Sequence, residues 1–165
     1  MSARILTVAT LLASVAIQPA IAQGKTDFSG TWKMNVEKSD PIGQGMGGGG
    51  GGGGTATAVA ITQKDGKLLV ATTRGDQTTT ATFNLDGTES VNASMRGGET
   101  KSKATWDGAT LVIASESTFN GPNGSMTVNS KEVRSLSADG TMMTVVTTRT
   151  TPNGEQTTKR VFDKQ

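Results

Sequence analysis

Phe28-Ser29-Gly30-Thr31-Trp32-Lys33-Met34-Asn35 decides the reading of this chain. The stretch follows an apolar leader and opens a train of about ten short segments separated by turn residues. Such a train predicts a small antiparallel β-barrel. No catalytic motif accompanies it, so the interior of the barrel is the expected seat of function.

Working outward, turn signals recur at Asp65-Gly66, Gly75-Asp76, Asp86-Gly87, Gly97-Gly98, Asp107-Gly108, Pro122-Asn123-Gly124, Asp139-Gly140 and Pro152-Asn153-Gly154. These are hairpin punctuation. Between them apolar residues alternate with period two: Val59 and Ile61, Leu68 and Val70, Ala81, Phe83 and Leu85, Val91 and Ala93, Leu111 and Ile113, Met126 and Val128, Met143 and Val145. Each segment pairs most simply with its neighbour. A meander leaves two exposed edges unless it closes, and closure favours an up-and-down barrel over a two-sheet sandwich. The expected fold class is all-β, an antiparallel barrel of about 8–10 strands.

The chain has 165 residues, enough for one domain. Only 33% are hydrophobic and 4% aromatic, and Thr is abundant, so the core is thin and much of the sheet is covered by a β-branched residue that tolerates a half-wet surface. A formal net charge of +2 comes from dispersed residues, and the longest basic run in the barrel region is Lys159-Arg160. Nucleic acid is therefore not an expected partner.

Residues 1–22 read as a signal peptide. Arg4 supplies the positive start, Ile5 to Ile17 the apolar stretch and Ala20-Ile21-Ala22 the small-x-small site. Thr7, Thr10 and Ser14 interrupt that stretch, which is short against the ~20 apolar residues of a spanning helix. The expectation is an exported protein, periplasmic or extracellular, with no integral membrane segment after signal removal. With no Cys it can be neither a lipid-anchored lipoprotein nor disulfide-stapled. Residues 23–165 then form a single β-barrel domain. Within it the stretch 36–55 holds eight consecutive glycines, Gly47 to Gly54, and is expected to be a flexible loop. The run leads into Thr55-Ala56-Thr57 rather than Gly-Lys-Ser/Thr and a helix, so it is no phosphate-binding loop.

Gly30-Thr31-Trp32 on the first strand, with Arg160 on the last, resembles the lipocalins and fatty-acid-binding proteins, the calycin group. The ending Lys159-Arg160-Val161-Phe162 is similar to the Arg-x-Tyr ending of fatty-acid-binding proteins, with Phe162 where the hydroxyl-bearing Tyr would stand. Gly30 to Asn35 with Glu37-Lys38-Ser39, and Asp163-Lys164-Gln165, resemble a family of small secreted bacterial lipocalin-like proteins of uncharacterised function. The resemblance implies a barrel whose Arg packs over the Trp, so that Trp32 and Arg160 form a structural plug. Alternatively Arg160 faces the cavity and clamps a ligand carboxylate, with Phe162, Phe83 and Val145 among the ligand-binding residues and Val59, Leu68 and Ile113 beside them. Trp106, just before Asp107-Gly108, reads as a strand-end anchor.

Catalysis is constrained by the absence of His, Cys and Tyr, which removes the common nucleophiles, bases and zinc ligands. Asp65, Asp76, Asp86, Asp107 and Asp139 are assigned to turns. Glu116 and Glu132 lie near enough in a hairpin to suggest a carboxylate pair, but Lys131 and Arg134 make a surface ion cluster the preferred reading. No cofactor and no metal site is expected, and the chain is read as non-enzymatic. Two functions remain: an exported protein binding a small apolar or amphipathic ligand, or a structural or protein-interaction module of the cell envelope without a ligand cavity.

Overall fold

A computed structural model describes residues 25–41, 56–94, 98–121, 124–151 and 154–165. The expected leader and the glycine run Gly47–Gly54 lie outside the described residues. Ten strands form one antiparallel sheet: β1 Gly30–Asn35, β2 Ala58–Lys64, β3 Lys67–Arg74, β4 Gln77–Asn84, β5 Glu89–Ala93, β6 Glu99–Asp107, β7 Thr110–Gly121, β8 Gly124–Leu136, β9 Met142–Thr151 and β10 Gly154–Lys164. Their order in the sheet is β4-β3-β2-β1-β10-β9-β8-β7-β6-β5. The first strand thus pairs with the last, and consecutive strands pair everywhere else except between β4 and β5. The result is a nearly closed up-and-down barrel.

Turn chemistry sets the register. At Asp65-Gly66 both residues have positive φ, 52° and 72°, which a two-residue primed turn requires, and Lys64 lies opposite Lys67. Gly98 is demanded for a second reason: a Cβ there would overlap the carbonyl oxygen of Thr118. The turn into β6 therefore packs its backbone directly on β7.

Side chains close the seam between β4 and β5. The Asn92 amide accepts from Thr82 N–H at 2.8 Å and donates to Thr82 C=O at 3.0 Å, so one side chain stands in for a missing backbone pair. Ser90 Oγ accepts from Asn84 N–H at 2.8 Å, and Asn84 Nδ2 donates to Glu89 C=O at 3.1 Å. Ser90 and Asn92 consequently take the inward positions of β5. Val91, 54% exposed, faces out with Ala93, which reverses the alternation expected for this strand. Met126 is likewise 54% exposed near the tip of the β7–β8 hairpin.

The core lies at one end of the barrel. Trp32, Phe28, Leu68, Leu85, Leu111, Met143 and Phe162 form a buried cluster, with Phe83, Trp106 and Leu136 packed against it. The segment before β1 crosses that end. Trp32 Nε1 donates to Phe28 C=O at 3.0 Å, Gln63 receives Phe28 N–H at 3.2 Å and donates to Thr26 C=O at 2.9 Å, and Thr26 Oγ1 donates to Ala109 C=O at 2.6 Å. Phe28 stacks on Trp106 with centroids 6.1 Å apart. At the other end, Val36–Asp40 does not leave the barrel as a loose loop. Ser39 Oγ receives Val161 N–H at 2.9 Å and Asp40 N–H donates to Lys159 C=O at 3.0 Å, so this part of the Gly-rich segment is stitched to β10.

Candidate functional site

Residues directly opposite in an antiparallel pair share a face, so the register maps the barrel interior. One row runs Arg160, Val145, Arg134, Leu111, Trp106 across β10, β9, β8, β7 and β6. The next row toward the hairpin tips of β7–β8 and β9–β10 runs Thr158, Thr147, Glu132, Ile113, Ala104. The one beyond runs Gln156, Arg149, Ser130, Ser115, Ser102, Ser90. The interior is thus apolar at the floor and polar above it.

Arg134 is the most unusual residue of this wall. It is only 6% exposed, its Nε is ion-paired with Glu132, and its Nη1 is buried with no hydrogen-bond partner. Trp106 Nε1, in the same row, is also buried and unpartnered. An unsatisfied buried donor costs ~1–3 kcal/mol, and more when charged. The row therefore presents donors without acceptors, the arrangement that receives an anion.

Arg134 overturns the surface ion cluster expected from the sequence. Lys131 is exposed, whereas Arg134 and Glu132 point inward. Glu116 faces out and lies opposite Asn129, so Glu116 and Glu132 occupy opposite faces and form no carboxylate pair. The clue available in the sequence was parity: Arg134 and Glu132 sit at even spacing from each other and, across the hairpin, face Leu111 and Ile113, both assigned inward.

The expected ligand residues fall on the same inner face. Phe162 and Val145 are buried, and Phe83, half-buried, packs on the core opposite Leu68. Arg160 is half-buried, and its Nη1 donates to Asp40 C=O at 3.2 Å and Lys159 C=O at 3.0 Å. It is not the cation over Trp32. That place belongs to Lys164, directly opposite Trp32, with Nζ 5.3 Å from the ring centroid. Arg160 lies four residues further along β10, too far to reach the indole. The plug at the closed end is therefore Phe28, Trp32 and Trp106, with Lys164 over Trp32 and Lys25 Nζ 6.0 Å from the Trp106 centroid.

Cations divide by type. The strand arginines among the described residues, Arg74, Arg134, Arg149 and Arg160, share the inner face, while Lys33, Lys64, Lys67, Lys101, Lys103, Lys131 and Lys159 take the outer positions; Lys164, opposite Trp32, is the exception at the plug. Burial lowers the pKa of Arg74 by desolvation, yet a guanidinium keeps its charge there. Outside, a groove of about 520 Å3 crosses β5–β10. Its charged residues are Lys101, Lys103 and Lys131 with Glu89, Glu116 and Glu155. Among the described residues no group of three or more acidic side chains is gathered to hold a metal ion.

No protein-family model matches the chain, and none of the curated proteins does. Solved structures do. The chain is similar to zebrafish ileal bile acid-binding protein, solved with cholic acid, at 18% identity and TM-score 0.60, over 84% of this chain and 98% of that one. It is also similar to the REP1-NXSQ fatty acid transporter at 16% identity and TM-score 0.56, over 83% of this chain and 95% of that one. A Tyr-to-Phe variant of that transporter matches at 18% identity and TM-score 0.55, over 83% and 97%. The fold is the up-and-down barrel of these structures. In it the Gly30-Thr31-Trp32 strand and the Arg160-containing strand are neighbours.

Proposed function

We propose that the protein is an exported, non-enzymatic carrier that holds a small amphipathic anion inside its barrel, with the acid group at Arg134. The observation that carries this reading is the Arg134 guanidinium, nine-tenths buried with Nη1 unpartnered, one position from Val145 and two from Arg160 in a single row. A ligand carboxylate would supply the missing acceptor in a charge-assisted bond worth ~1.5–3 kcal/mol. Val145, Phe162 and Phe83 would meet the apolar part near it. The neighbouring folds support the reading in kind, since one was solved with cholic acid and another is described as a fatty acid transporter. Export rests on the leader-like residues 1–22.

The test is native mass spectrometry of gently purified protein, followed by titration with a fluorescent fatty acid. An acidic adduct and micromolar binding are expected. Arg134→Met paired with Glu132→Gln, which leaves no orphaned carboxylate, should retain the fold and weaken binding about ten- to hundredfold. Unchanged affinity in that double variant removes Arg134 from the site. The second reading, an interaction module of the envelope, is favoured by the charged outer groove across β5–β10. A clean apo mass with a reproducible protein partner would put it first.

A further inference from the structure

Beyond Arg134, toward the hairpin tips, the inner wall is hydroxylated rather than apolar. On β6 and β7, Ser102 Oγ lies 2.8 Å from Ser115 Oγ and Thr100 Oγ1 lies 2.9 Å from Ser117 Oγ, and Ser102 is only 2% exposed. Ser130 on β8 and Thr147 on β9 continue this surface. Each hydroxyl pair shares one hydrogen and keeps one donor and several lone pairs in hand. A patch of this kind, buried at Ser102 and half-buried elsewhere, is matched by oxygen, not by methylene.

Arg134 lies at the floor side of this patch. From Arg134 to Ser130 is four residues along β8, roughly 13 Å at the rise of a strand. An acid anchored at Arg134 and extending toward the hairpin tips therefore lays its middle, not its end, against Ser115 and Ser130. A plain alkyl chain would dry these groups without replacing their water. Hydroxyls at mid-chain would replace it.

We propose that the ligand is an oxygen-rich acid, a polyhydroxylated carboxylate whose hydroxyls bond the Ser/Thr surface of β6–β9. This rests on the anion-carrier reading above and names its ligand class. Sites that hydrogen-bond a substrate hydroxyl reject analogues lacking it strongly, because their own polar groups are left unpaired.

Palmitate and aleuritate, its trihydroxylated counterpart of equal chain length, share a carboxylate and differ in the hydroxyls alone. Titration calorimetry of the full chain should find aleuritate at least about tenfold tighter. Ser115→Ala with Ser130→Ala should reduce that ratio toward unity, weakening aleuritate and tightening palmitate, which no longer dries the two hydroxyls. Where circular dichroism shows that pair unfolded, Thr147→Val, which keeps side-chain shape, should still lower the ratio. Equal or tighter binding of palmitate, or a ratio indifferent to these substitutions, overturns the hydroxylated-ligand proposal and leaves the anion carrier standing. Failure of both acids to bind overturns the carrier reading, and this proposal with it.

Discussion

Trp32 shows how a residue's role follows from which neighbour the register gives it. It is fully buried, hydrogen-bonded to Phe28 C=O, and capped by Lys164 from the last strand. Lys164 is exposed, so the cation–π contact is worth about 0.5–1 kcal/mol, whereas deleting the indole opens a core cavity costing about 3–5 kcal/mol. Lys164→Met should therefore lower stability by less than about 1 kcal/mol in urea unfolding and shift Trp32 emission. Trp32→Ala should come close to unfolding the barrel, as 3–5 kcal/mol is a large share of a marginal stability. Arg160→Met, whose side chain reaches Asp40 instead, should leave the emission where it is. An emission change with Arg160→Met and none with Lys164→Met would return Arg160 to the plug. The Arg-over-Trp expectation failed because a strand of alternating residues offers several cations on one face. Only the pairing of Trp32 with Lys164 decides among them.

At the scale of elements, the seam and the turns carry the specific polar chemistry. The β4–β5 junction lacks a backbone ladder, and Asn92 supplies both a donor and an acceptor to Thr82. Asn92→Ala leaves that N–H and C=O without their partner, at ~1–3 kcal/mol. Amide exchange at Thr82 should accelerate about five- to hundredfold, while the amides of Ala81 and Phe83, which alternate with it and face β3, keep their protection. Equal acceleration on both strands would mean global loss instead of a local opening. In the β8–β9 turn, Ser137 and Thr141 hydroxyls and the Thr141 N–H bond Asp139, and hold its pKa down from 3.8 to about 2. A carboxyl whose folded pKa is depressed stabilises above its unfolded value and loses that contribution as the pH falls through the folded one. The melting-temperature gap between wild type and Asp139→Asn should be constant above about pH 4 and close as the pH approaches 2. A gap that persists at pH 2 would assign the turn's stability to something other than ionised Asp139. Turn positions were legible in the sequence because Asp-Gly pairs carry their own local hydrogen bonding. The β5 face was not, because Val91 obeys the strand period while the seam claims Ser90 and Asn92 for the inside.

For the whole molecule, the barrel and its strand number were legible because period-two patterning and turn residues recur along most of the chain. The site was legible only in part. Arg160, Phe162, Val145 and Phe83 were placed on one surface by alternation, but Arg134 was read as surface because charge dominated the local judgement over parity. What hydrophobicity patterns miss is that this barrel sorts most of its strand cations: arginines inward and, apart from Lys164 over Trp32 at the plug, lysines outward. Guanidinium is weakly hydrated, stays charged when partly buried and matches oxyanions with two parallel bonds, while ammonium is better left in water. Anion binding should then depend on arginine and hardly on lysine. Exhaustive acetylation removes the outer positive charges, whose influence on the lumen is screened over a Debye length of about 8–10 Å. Aleuritate affinity should stay within about threefold after acetylation. Phenylglyoxal, which attacks guanidinium, should abolish binding, and bound aleuritate should slow that loss. If acetylation removes binding and phenylglyoxal spares it, the anion is held outside by Lys101, Lys103 and Lys131 in the β5–β10 groove, and the lumen is a packed interior rather than a container.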